Sequence, residues 1–290
     1  MAKKRYTGKY LRKKPTGSRG VSVVLGILLV LFAASAIFGG WKYFTTRQEY
    51  QAGTDSYAAL AGSAVTEGAV EETVIYMEAQ REEEGQTPSD PEVLKPPQTT
   101  AHTGFRVDFD LLRSINSQTV GWISGLGGAV NYPVVQAADN DYYLNHLFDG
   151  TANRSGSIFM DFRNAAGLTD RNTFIYGHNM LNGSMFAALT NYGSQSYYEE
   201  YPELTLVTPS GTWSLQAFSG YVTPGNSDCY QLEFRDDAEF ESYLERVRLL
   251  SDFTADVAVT AQDRIVTLST CTYDYEDARY VLHCKLVPMQ

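Results

Sequence analysis

Cysteine is scarce in this sequence, with three in 290 residues. So small and odd a number in a long chain builds no disulfide framework and leaves at least one thiol unpaired. Histidine is nearly as rare, at four. Any proton-transfer site built on imidazole must therefore draw on His102, His146, His178 or His283. Positive charge is depleted beyond residue 20, where 15 Lys/Arg stand against all 34 Asp/Glu, near −19. That balance excludes nucleic acid as a partner for the bulk of the chain. No His/Cys/Asp/Glu group has convincing metal-ligand spacing, so no metal and no other cofactor is expected. Long apolar runs are absent too, with one exception.

The exception is Val21 to Phe38, 18 residues without a charge. It follows a tip of 20 residues holding eight Lys/Arg and no carboxylate. A span needs roughly 20 apolar residues, and a basic flank marks the inner side of the membrane. Trp41, Tyr43 and Phe44 supply an interfacial belt. The expected organisation is a cytoplasmic tip (1–20), a single-pass anchor (21–40), and the remainder outside the cell. Ala34-Ser35-Ala36 resembles a signal-peptide cleavage site, but the apolar stretch exceeds the roughly 7–15 residues of a signal core. Both alternatives place the rest of the chain outside the cytoplasm.

Residues 45–79 read as helical and thinly packed, with a stripe of Tyr50, Tyr57, Leu60 and Ala64 broken by Gly53, Gly62 and Gly68. Gln80 to Gly104 holds Pro88, Pro91, Pro96 and Pro97, an extended spacer; His102 lies in it as a solvated residue. The segment 41–104 is therefore expected to be a stalk, with a compact domain at 105–290. Asp108 can cap a short helix carrying Phe109, Leu112 and Ile115. Eight short β-like runs follow: Val120–Ser124, Asn131–Val135, Ser157–Met160, Asn172–Tyr176, Glu203–Thr208, Thr212–Tyr221, Arg264–Thr270 and Arg279–Val287. Short strands at this density predict a barrel or sandwich rather than alternating β/α units. One longer helix interrupts them at Asp236–Leu250, where Phe240, Tyr243, Leu244, Val247 and Leu250 repeat at helical spacing. Asp236 and Glu239 have capping-box spacing, and Arg246 and Arg248 sit at the end that the helix dipole favours for cations.

Side chains alternate across a strand. In Ile265–Thr270, Val266, Leu268 and Thr270 share one face, and Thr267, Ser269 and Cys271 the other. Cys271 thus ends a strand on its polar face, where a thiol can be reached. On the next run Cys284 shares an apolar face with Tyr280, Leu282 and Leu286, so it is packing. A nucleophilic cysteine needs a group that moves protons. His178 ends the run Thr173-Phe-Ile-Tyr-Gly-His178 in the same manner, with Gly177 permitting a turn. His283, on the face of Arg279, competes for the role, whereas His146 reads as a surface or packing residue. Arg279 could stabilise an oxyanion. It could equally be salt-bridged to Asp274, Glu276 or Asp277.

Thr267-Leu-Ser-Thr-Cys271 with Arg279 eight residues on, preceded by Tyr176-Gly-His178, resembles the sortases, specifically class B. The resemblance extends over roughly 105–288, through Val120-Gly-Trp-Ile-Ser, Asn131-Tyr-Pro-Val-Val-Gln136, Asp139-Asn-Asp-Tyr-Tyr-Leu144 and Gly156-Ser-Ile-Phe-Met-Asp161. It implies a mostly β fold: an eight-stranded barrel with a short N-terminal helix and a long helix before the cysteine strand. It implies that Cys271 attacks the threonine carbonyl of a C-terminal sorting motif and forms a thioester. His178 would exchange protons with the leaving and incoming amines, and Arg279 would stabilise the oxyanion. Asn140, Leu144 and Ser269 would line the substrate groove. The implied partners are exported proteins bearing the motif and a peptidoglycan-precursor amine, at a Gram-positive-type cell surface. A pilin lysine as acceptor, a hydrolytic cysteine protease and a non-catalytic binding module remain as alternatives. Thr272 to Ala278 is variable territory in this family, so no substrate contact is carried over there.

Overall fold

The computed structural model describes residues 19–68 and 104–289. The long helix α1 (Arg19–Ala64) contributes to two compact units, one ending at Glu49 and the other covering Tyr50–Gln290. In the first unit its apolar side chains from Val24 onward are solvent-exposed. Among the described residues it is the one helix long and apolar enough to cross a membrane. The basic tip and most of the proline-rich spacer, with His102, lie outside the described residues.

The second unit begins earlier than the Phe105 boundary marked by the sequence. Its helical turns are not the thinly packed stalk expected: Tyr57 and Ala64 are buried, with Tyr50 and Leu60 packed beside them. The helix then gives way to β1 (Val65–Gly68), which pairs antiparallel with β2 (Gly104–Val107). The short helix α2 (Phe109–Ile115) is capped by Asp108, whose carboxylate accepts from Leu111 N at 2.8 Å. Only Leu112 of its expected stripe is fully buried; Ile115 is 47% exposed because the helix ends there.

All eight expected strands form, and they close into one barrel. In chain order they are β3 (Thr119–Gly125), β4 (Val130–Val135), β5 (Ile158–Met160), β6 (Asn172–Tyr176), β7 (Glu203–Thr208), β8 (Gly211–Pro224), β9 (Ile265–Cys271) and β10 (Ala278–Pro288). Around the barrel the order is β10-β8-β7-β3-β4-β5-β6-β9. Only β4–β5 and β6–β9 are parallel pairs. A short helix α3 (Gln195–Glu200) precedes β7. Closure leaves the barrel no strand edge open to another chain.

The two-residue alternation explains how both faces of β9 are used. Val266 and Leu268 join Tyr280, Leu282 and Cys284 in the barrel core. On the outer face, Ile265 and Val281 meet α4 (Asp237–Leu249) through Phe240, Tyr243, Leu244 and Val247. Leu250 departs from its expected stripe and is 52% exposed, one residue beyond the helix. Asp236 caps α4 by accepting from Glu239 N at 2.9 Å. The reciprocal bond reaches one residue further back than a capping box does, from Arg235 N to Glu239 at 2.7 Å. Beneath α4 lies a polar group with no access to water. Thr267 Oγ1 donates to Asn172 Oδ1 (2.8 Å) and accepts from His283 Nδ1 (2.9 Å), while Tyr221 Oη donates to His283 Nε2 (3.3 Å). His283 is therefore a satisfied core residue, and burial pushes its pKa down to about 3.

Candidate active site

β9 is the organising strand because its neighbours bring chemistry to its end. On one side β6 runs parallel, with Tyr176 level with Ser269 and Gly177 N donating to Ser269 O at 3.1 Å. One residue later the chain reaches His178, at the same end of the sheet as Cys271. On the other side β10 runs antiparallel, and Arg279 is the direct partner of Cys271. Directly opposed residues in such a ladder have Cβ atoms about 4.5–5.5 Å apart. Cys271, His178 and Arg279 line one cavity of about 240 Å³, together with Tyr176, Asn140 and Leu144.

Gly177 serves space rather than a turn. A Cβ there would lie 2.4 Å from Ile158 Cδ1 and 2.8 Å from the Phe186 ring. The strand end packs so closely that only hydrogen fits, and this sets where His178 emerges.

Cys271 is half-buried, whereas Cys229 and Cys284 are buried and their thiol pKa values are raised by burial. His178 Nε2 lies 2.6 Å from Leu144 O. A carbonyl only accepts, so Nε2 carries a proton and Nδ1 is the nitrogen left to exchange one. Arg279 makes the ion pair that one sequence reading allowed, its Nη2 pairing with Asp277 Oδ1 at 2.8 Å; its Nη1 donates to Ala278 O at 3.1 Å, and the residue lines the cavity. Among the described residues, no further hydrogen-bond partner engages the remaining N–H groups of the guanidinium fork.

The expected groove residues line the same cavity but differ in what they can offer. Asn140 has its amide engaged at both ends, donating to Asp161 Oδ2 at 3.0 Å and accepting from Phe162 N at 3.0 Å. Ser269 Oγ is 2.9 Å from Tyr230 Oη. Leu144 contributes the carbonyl that holds His178. Tyr197 and Tyr201 pack with Tyr192 and are not among the residues lining this cavity. His146 stacks on Tyr142 with ring centroids 4.1 Å apart and takes no part.

Asp161 is the residue the sequence does not single out. Its carboxylate is fully buried and accepts from Arg163, Asn140 and the Tyr176 hydroxyl. Burial alone would raise its pKa, but these hydrogen bonds together outweigh burial and hold it below the usual carboxylate range. Burial, followed by the Asp161 charge, pushes the Tyr176 phenol far up. Two sequence signals could have found it: it ends the apolar run Ile158-Phe-Met160, where a carboxylate needs partners to be buried, and it closes the class B-like segment Gly156–Asp161.

A closed eight-stranded barrel with a reachable cysteine at one strand end, flanked by histidine and arginine, defines a family. The Sortase domain model matches residues 123–287, and the chain belongs to the sortase family of cysteine transpeptidases. Within it the chain is a class B sortase. It is 39% identical over 178 residues to Sortase B of Listeria monocytogenes, covering 61% of this chain and 72% of that one. Against Sortase B of Staphylococcus aureus it is 38% identical over 184 residues, covering 63% and 75%. Its barrel is similar to that of a Staphylococcus aureus sortase B–substrate complex (TM-score 0.60, 37% identity, 63% and 86% of the two chains). A sortase B complexed with triglycine is equally similar (TM-score 0.60, 38% identity, 63% and 86%).

Proposed function

We propose that this sortase is held in the membrane by α1 and joins exported proteins to a cell-wall amine through a thioester on Cys271. The observation that carries the assignment is the β9 register, with Arg279 paired directly to Cys271 and His178 at the same end of the neighbouring parallel strand. The Cys271 thiolate attacks the carbonyl carbon of the motif threonine, forming an S–C bond and an oxyanion. The free part of the Arg279 fork stabilises that oxyanion, which matters more in the transition state than in the ground state. Collapse breaks the C–N bond, and imidazolium His178 gives its Nδ1 proton to the departing amine. The acceptor amine then attacks the thioester and passes a proton to His178, and Cys271 leaves as thiolate. One amide is exchanged for another, with no net change in protons or electrons.

The acceptor is an amine of a peptidoglycan precursor, a reading supported by the triglycine complex of a relative. The exposed apolar helix and the basic tip ahead of it support a single-pass anchor with an internal N-terminus and an extracellular barrel. Leu144 and Ser269 serve as groove residues. Asn140 serves the groove wall rather than a free amide, since both its ends are committed.

The test uses the full chain in detergent with a labelled sorting-motif peptide and an oligoglycine amine. Ligated peptide and loss of turnover in Cys271→Ala are expected. Hydrolysed product alone would indicate a protease, product only with a lysine acceptor would indicate pilin joining, and turnover persisting in Cys271→Ala would end the proposal.

A further inference from the structure

The helical turns from Tyr50 to Ala64 contact the Gly156–Ser157 segment and the loop after His178. The buried Tyr57 hydroxyl donates to Gly156 O at 2.7 Å and lies 2.9 Å from Ser157 Oγ. Ser157 is tied to both sides of Leu144, its N–H donating to Tyr143 O and its hydroxyl to His146 O, each at 2.9 Å. Leu144 O is the acceptor for His178 Nε2. Tyr57 is thus connected, through the Gly156 carbonyl and the adjoining Ser157, to the segment whose Leu144 carbonyl orients the imidazole.

The loop after His178 rests on the same helix. Asn182 Nδ2 donates to Thr54 Oγ1 at 3.3 Å. Met185 N donates to Tyr132 Oη at 3.0 Å, and the Tyr132 ring meets Tyr57 edge-on with centroids 5.3 Å apart. Phe186 N then returns to His178 O at 2.9 Å. Gly53 permits the approach, because a Cβ there would lie 2.8 Å from Ser155 Oγ.

We infer that the Gly53–Thr54–Tyr57 face of α1 is a positioning element for His178, acting chiefly through Tyr57. It grips the segment that supplies the histidine's acceptor and the loop that follows the histidine. The inference rests on the role proposed above for His178. Hydrogen-bonded supports of this kind fix a ring that must otherwise find its orientation on each turnover, and small misplacements are costly in rate. It also makes Tyr50, not Phe105, the start of the catalytic unit.

The test compares Tyr57→Phe, Asn182→Ala and Val247→Ala in the full chain in detergent. Tyr57→Phe keeps the ring against Tyr132 and removes the hydroxyl; Asn182→Ala removes the second grip from an exposed loop. For Tyr57→Phe, kcat should fall about tenfold with KM within about twofold, inside the roughly hundredfold that a 1 Å misplacement can cost. The 15N resonance of His178 Nε2 should move with it, and Asn182→Ala should shift both readouts less, in the same direction. Val247→Ala, in the α4 cluster, should lower thermal stability and leave both readouts at parental values. The inference is overturned if Tyr57→Phe costs stability alone, or if Val247→Ala moves kcat and the resonance equally. Failure of the underlying site reading is distinguishable, because His178→Ala would then still turn over at the parental rate.

Discussion

Arg279 is the register partner of Cys271, and its guanidinium is paired at 2.8 Å with Asp277, two residues earlier in the chain. Asp277 adopts φ +60°, a left-handed conformation that aspartate and asparagine tolerate better than other side chains. Its carbonyl also accepts from Gly225 N at 2.9 Å. The pair holds one side of the guanidinium, and the rest of its fork is the part proposed for the oxyanion.

Removing that fork should be expensive in rate and inexpensive in stability. Arg279→Ala should lower kcat by about 10²–10³, as loss of one oxyanion donor does elsewhere. Asp277→Asn keeps the backbone conformation and removes the charge. Because Asp277 is 56% exposed, its stability should stay within about 0.5 kcal/mol of the parent. Steady-state kinetics and thermal melts check both.

Thiol reactivity should separate the three cysteines. Cys271 is half-buried, whereas Cys229 and Cys284 are 2% and 0% exposed. A soft alkylating reagent followed by peptide mass spectrometry should modify Cys271 first in the folded chain. Labelling of Cys284 at a comparable rate would contradict its place in the barrel core.

Gly177→Ala tests whether space, not a turn, fixes the strand end. The added methyl would collide with Ile158 and Phe186, and overpacking of this kind costs about 1–3 kcal/mol. Because His178 follows directly, kcat should fall as well. A melt and a progress curve on the same sample read out both effects.

His283 gives the chain an acid sensitivity with a definite sign. Its folded pKa of about 3 lies below the roughly 6.5 of an unfolded histidine. Above about pH 6.5 neither state is protonated and the contribution to stability is fully present. As pH falls, the unfolded chain binds a proton that the folded one refuses, and stability drops by up to about 1.4 kcal/mol per pH unit until pH nears the folded value. Asp161, with its lowered pKa, adds a loss only in the more acidic carboxylate range, near about pH 4 and below. Urea unfolding at about pH 7 and about pH 5 should therefore show a smaller difference in His283→Asn than in the parent.

Some of this molecule is local and some is not. Two-residue alternation in Arg264–Thr270 and Arg279–Val287 was enough to put Cys271 and Cys284 on opposite faces, because strand geometry depends only on the chain itself. Cys271 is half-buried because it ends β9, while Thr267 and Ser269 on its face are buried. The spacing of Phe240, Tyr243, Leu244 and Val247 determined the face of α4 in the same way, and the eight β-like runs each became a strand. The closing of those strands into one ring, and the parallel pairing of β6 with β9, depend on contacts between residues far apart in sequence. So do the deep burial of His283 under α4, the carboxylate of Asp161 behind Asn140 and Tyr176, and the seating of Tyr57 behind Leu144. A hydrogen bond to a residue about a hundred positions away has no periodicity for a sequence to display. Local pattern therefore marked Cys271 and left His178 beside His283 and Arg279 between two roles, and the resemblance to class B sortases chose among them. What holds each of them in place was decided by contacts across the fold.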